Sequence, residues 1–186
     1  MIKKWIVYFI ILTILPYLVA GALIVFFGDP EIRDMIFRHN ILNVFLPIVI
    51  VFLITIVFTI GCVYRSQTNH WDSYYFTKAM LTIKIIQIPA YIAIFVISVI
   101  CFVTVFTMIF TLLLAVFDFC LLVMSGLNTG SAIILAKKEY PEQFKFPLWS
   151  ILFFLQFVFL ADVVATIYLF LKLRKIKKAD NTELLM

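Results

Sequence analysis

IIQIPAYIAIFVISVICFVTVFTMIFTLLLAVFDFCLLVMSGLNTGSAIILA, residues 85–136, holds one charged side chain in 52 positions, Asp118. No soluble domain tolerates such a stretch, since an uncharged apolar run of about 18 residues or more already reads as a membrane span. At about 1.5 Å per residue a straight helix of that length would reach roughly 78 Å, against a hydrocarbon core of about 30 Å. The stretch therefore folds back on itself. How it does so decides the side on which the basic C-terminal tail emerges.

The rest of the composition agrees. Of 186 residues, 65% are hydrophobic and 13% charged, with a mean hydropathy of +1.15, against about 25% charge in an ordinary soluble domain. The chain reads as a single integral membrane domain over residues 1–186. Its net charge of +5 is not a nucleic-acid signature, because the basic residues sit at the ends of apolar runs, where membrane orientation places them. Cys62, Cys101 and Cys120 lie inside those runs and read as free thiols rather than a disulfide framework.

Five apolar segments follow: residues 5–27, 41–64, 89–115, 118–136 and 148–171. The first imitates a secretory signal, with Lys3 and Lys4 ahead of it and Ala20, Gly21 and Ala22 within it. Its apolar character continues past those small residues, so we read a retained first helix. Residues 74–88 carry Phe76, Ala79, Ile83 and Ile86 at helical spacing between Lys78 and Lys84, which suits a helix lying along the interface, with Pro89 turning the chain inward. The fold class is thus all-α, a polytopic transmembrane helix bundle of five apolar helical segments with four or five full crossings, ending in a basic tail over residues 172–186.

Two arguments disagree on topology. Four crossings, with residues 118–136 re-entrant and both termini inside, put ten Lys and Arg in the cytoplasm against five outside; five crossings give eight against seven. Charge bias favours four. Length favours five, because residues 89–115 and 118–136 each span unaided, and Asp118 is then an interfacial N-cap. The cluster Lys172, Arg174, Lys175, Lys177 and Lys178 abuts a crossing directly, so a cytoplasmic C-terminus is expected.

Asp162 is the sharpest candidate for an intramembrane polar site, since an aspartate at a helix centre costs about 2.5 to 3.5 kcal/mol on insertion scales. It should face protein or water, with Thr166 one turn on and the small residues Ala161 and Ala165 admitting a neighbouring helix. One reading is a protonatable site for ion or substrate movement; the other is an aspartate bonded to a neighbouring helix. Asp118 reads as a boundary cap. Gln156 lies about 240° around a continuous helix from Asp162 and so reads as interhelical glue on a different face.

Ser125 opens and Ser131 closes SGLNTGS, the one place where small and polar residues interrupt an apolar run. Gly126 and Gly130 form a GxxxG pair suited to close helix packing. Alternatively, Asn128 and the glycines mark an unwound segment that lines an ion or substrate path. Pro16 and Pro47 are ordinary membrane-helix prolines. His70, beside Trp71 and Asp72, reads as an interfacial anchor, and the only other histidine is His39. No metal motif, phosphate loop or nucleophile elbow occurs, so neither an enzyme nor a cofactor is expected.

KIIQIPAY, residues 84–91, and LQFVFLADVV, residues 155–164, resemble stretches of uncharacterised small polytopic membrane proteins of Gram-positive bacteria. The resemblance covers the second half of the chain. It implies a multi-pass protein of the bacterial plasma membrane and carries no functional residues across.

The sequence therefore points to a non-enzymatic membrane interaction protein, such as an immunity or accessory subunit binding another membrane component. The alternative is a small transporter or oligomeric channel with a polar path at Asp162 and residues 125–131. The partners expected are the lipid bilayer and another membrane protein or a second copy, with no nucleic acid.

Overall fold

The computed structural model describes residues 5–31, 34, 41–69, 71–103, 108–145, 147–158 and 161–183. Within them lie six α-helices and no strand: α1 Ile6–Gly28, α2 Ile41–Thr68, α3 Ser73–Val103, α4 Met108–Glu139, α5 Leu148–Leu155 and α6 Ala161–Glu183. The first four contain stretches long and apolar enough to cross a membrane, so the chain is an all-α membrane protein. His39, His70 and the side chain of Pro47 lie outside the described residues.

A helix satisfies its backbone donors and acceptors internally, which hydrocarbon demands. On α1 the residues Tyr8, Leu12, Leu15, Val19, Leu23 and Phe26 form a buried stripe, while Val7, Ile10, Ile14, Leu18 and Val25 are exposed. A helix apolar on both its buried and exposed faces belongs in a bilayer.

The chain divides into two compact units. One comprises Val7–Phe58 and Ile86–Leu121. Its core joins Val19, Ala20 and Leu23 of α1 to Ile94 of α3 and Leu114 of α4. Prolines inside α1 and α3 shape their contact. Pro16 has no N–H, so the Leu12 carbonyl one turn earlier loses its helical donor. Gln87 Nε2 of α3 supplies the missing hydrogen bond at 2.7 Å. In return, the Tyr17 hydroxyl of α1 donates to the carbonyl of Ile86, in the turn before Pro89.

The other unit comprises Met1–Ile6, Thr59–Ile85 and Leu122–Met186. Trp71 is buried there edge-on to both Trp5 and Phe76, at centroid distances of 6.2 and 5.2 Å. Asp72 caps α3, its Oδ1 accepting from the N–H of Tyr74 and of Tyr75 at 2.9 and 3.2 Å. Its Oδ2 lies 2.7 Å from Lys177 Nζ. Burial opposes the Lys177 charge, but the Asp72 carboxylate outweighs it and holds that amine above the ordinary lysine pKa. Glu139, at the end of α4, accepts from the backbone N–H and hydroxyl of Ser73. These contacts bring together the start of α3, the end of α4 and the far end of α6.

The last apolar run doubles back. Down α4, Lys137 sits 4.0 Å over the Trp149 ring, Gly130 meets Phe153, and Gly126 meets Gln156, so α5 runs antiparallel to α4. Then α6 returns beside α3: Asp162 meets Lys84, Phe170 stacks on Tyr74 at 5.5 Å, and Lys177 reaches Asp72. Lys172 meanwhile bonds the Gln143 carbonyl in the α4–α5 loop. Both ends of the α5–α6 hairpin thus lie beside that loop, and residues 148–171 are two helices rather than the one crossing expected.

Two further expectations change. Residues 74–88 are not a separate interfacial helix, because α3 runs unbroken through Pro89. Phe76, Met80, Ile83, Lys84 and Gln87 are buried, and a helix covered by protein along that face has no reason to lie in the headgroups. Asp118 is not a cap: α4 begins at Met108, so Asp118 stands in its third turn. It is half-buried, and its Oδ1 has no hydrogen-bond partner among the described residues.

Candidate functional site

The hairpin turn builds the site. At the end of α5 the helix tightens: Gln156, Phe157 and Val158 donate their N–H groups three residues back, to Phe153, Phe154 and Leu155. This narrower turn frees the Leu152 carbonyl, which accepts instead from Gln156 Nε2 at 3.2 Å. A tightened last turn is a usual way to end a helix whose final carbonyls lack donors. It leaves Gln156 Oε1 directed at α3.

There it meets Lys84. Nζ donates to Gln156 Oε1 at 2.8 Å and to Thr166 Oγ1 at 3.1 Å, and lies 3.0 Å from Asp162 Oδ2. An ammonium carries three protons, and three acceptors surround this one. The Thr166 hydroxyl donates to the Asp162 carbonyl at 2.6 Å, leaving its lone pairs for Lys84. The Lys84 and Asp162 side chains are only 2% and 9% exposed, so this is an ion pair sealed inside apolar surroundings. Such a pair stands only when both charges are matched and hydrogen-bonded. No proton of Lys84 remains for a ligand.

Asp162, Thr166 and Gln156 therefore come together, although a continuous helix would set Gln156 and Asp162 on different faces. The turn between α5 and α6 breaks the 100° periodicity on which that separation rested. Asp118 belongs to the other compact unit. Lys84 was missed as a site residue, since it read as the boundary of an apolar run. The signal was present: an intramembrane carboxylate needs a cation, and Lys84 shares a helical face with Phe76, Met80 and Gln87.

Residues 125–131 are helical throughout, which corrects the unwound alternative. Asn128 and Thr129 are buried and donate to the carbonyls of Met124 and Ser125 one turn back, at 3.0 and 3.1 Å. Ser131 pairs with Ser66 and receives Gln67 Nε2 at 2.8 Å. The glycines lie under the hairpin. A Cβ on Gly126 would stand 2.9 Å from the Gln156 carbonyl oxygen, and one on Gly130 2.7 Å from the Phe153 ring. Ala165 is buried and Ala161 half-buried.

These contacts rank two substitutions. Gly126→Ala pushes on backbone at the turn that aims Gln156, while Gly130→Ala pushes on a ring that can swing aside. We expect Gly126→Ala to cost about 1–3 kcal/mol, the usual range for overpacking, and Gly130→Ala less. Unfolding of each variant in detergent checks the order; a milder Gly126→Ala would show that the hairpin does not press on α4 there.

No group of three His, Cys, Asp or Glu side chains among the described residues is placed to hold a metal ion. Compared with protein-family models, with curated proteins and with solved structures, the chain matches none.

Proposed function

We propose that this chain is a non-enzymatic interaction protein of the bacterial plasma membrane, an accessory or immunity-type subunit that binds another membrane component. The observation that carries this reading is the saturation of Lys84. Transport at Asp162 needs a group able to exchange partners, and this carboxylate holds an ammonium whose three protons are all engaged inside the protein. The second support of a polar path, an unwound segment at residues 125–131, is a continuous helix packed under the hairpin. The interior polar groups act as a lock, and the surface left for function is the outer face. The bacterial membrane rests on the resemblance described above.

In this reading the protein crosses four times and dips once, with both termini in the cytoplasm. Trp5 packs on Trp71, so α1 starts at the end where α2 stops, α3 starts and α4 stops. Of fifteen Lys and Arg residues, Arg33 and Arg38 fall in the link between α1 and α2 and Lys84 is buried in the ion pair. Lys3 and Lys4 precede α1 in the sequence, and the other ten belong to described segments at the shared end. A bias of that size supports a cytoplasmic assignment for this end. Moving the re-entry from residues 118–136 to the last run lets the length and charge arguments agree.

Purification from mild detergent with an affinity tag after Met186, paired with a proteoliposome flux assay, tests the function. One specific membrane protein in stoichiometric amount and no ion flux are expected. Recovery of this chain alone, with an ion leak abolished by Asp162→Asn, would replace the reading with a channel.

A further inference from the structure

The five basic residues at the end of α6 do two different jobs. Lys172 and Lys177 turn inward, to the Gln143 carbonyl and the Asp72 carboxylate. Arg174, Lys175 and Lys178 are exposed, and neither Arg174 nor Lys175 makes an ion pair among the described residues. Spacing of three and four places those three on one helical stripe with Leu171, Ile167, Tyr168 and Val164, all of which are exposed. The opposite stripe, Asp162, Ala165, Thr166, Leu169 and Leu173, is buried in the protein. The outer face of α6 is thus apolar for about 10 Å and then basic for about 6 Å.

That order is the profile of a phospholipid, acyl chains followed by phosphate. We propose that this face seats an anionic glycerophospholipid, with its chains along Val164, Ile167 and Leu171 and its phosphate held by Arg174 and Lys175. A guanidinium grips a phosphate through two parallel hydrogen bonds, and a neighbouring ammonium adds a point charge. A free phosphate ion would need the cations but not the apolar stripe beneath them. The site does not depend on the function proposed above, since it is read from the outer face of α6 alone.

Native mass spectrometry of the purified full-length chain, with phosphatidylglycerol or phosphatidylcholine of matched acyl chains, tests the proposal. Each cation near a lipid surface contributes about a fivefold preference for anionic lipid, so two contribute roughly thirtyfold. Retention of phosphatidylglycerol should exceed that of phosphatidylcholine by about this factor, and Arg174→Ala with Lys175→Ala should bring the two level. Arg174→Glu should do the same, while Lys145→Ala, a loop residue paired with Glu142, should change nothing. Both target side chains are exposed, so the thermal midpoint should not move. Equal retention of the two lipids, an unchanged double variant, or displacement of bound lipid by millimolar inorganic phosphate would overturn the assignment.

Discussion

Replacing Asp162 by alanine is expected to destabilise the protein by about 3–5 kcal/mol, because it leaves Lys84 charged and without its anion in a sealed interior. Lys84 cannot escape to water. It stands eleven residues into α3, about 16 Å from the helix start, and its side chain is 2% exposed. Asp162→Asn should cost less, since the amide oxygen still accepts a hydrogen bond from Nζ. The double variant Lys84→Met with Asp162→Leu should recover most of the loss, as matched apolar pairs commonly do when they replace a buried ion pair. Equilibrium unfolding in detergent, read as a double-mutant cycle, measures the coupling. A loss below about 1 kcal/mol for Asp162→Ala is the range of an exposed pair and would place these charges in water.

The sequence makes the membrane class and the helices legible, because apolar runs bounded by charge have one solution in hydrocarbon. Breaks are less legible. A hydropathy run carries length but not direction, so residues 148–171, uncharged apart from Asp162, read as one crossing although a hairpin of two helices has the same hydropathy. No glycine or proline marks the turn at residues 156–158. Gln156 is its only polar residue, and its role appears once the turn tightens and frees the Leu152 carbonyl. Asp118 misled for the opposite reason: a charge in an apolar run suggests a boundary, yet α4 starts ten residues before it. Lys84 was hidden by its position between apolar runs, where a lysine ordinarily marks the headgroup level. Only the return of α6 alongside α3 supplies the partner that keeps it inside.

The topology turns on that return, and the expected effect is a change of side rather than of degree. With eight residues, α5 is about 12 Å long, less than half of a hydrocarbon core of about 30 Å. The chain then reverses, and Lys172 and Lys177 return to Gln143 and Asp72. A fifth crossing would carry the Lys172, Arg174, Lys175, Lys177 and Lys178 cluster to the opposite face and break each of these contacts. The most direct measurement replaces the native cysteines with alanine, introduces Gln143→Cys or Asn181→Cys, and labels right-side-out and inverted membrane vesicles with an impermeant maleimide. The hairpin predicts that positions 143 and 181 label from the same, cytoplasmic side, and that Asp29→Cys labels from the other. Labelling of 143 and 181 from opposite sides would contradict it.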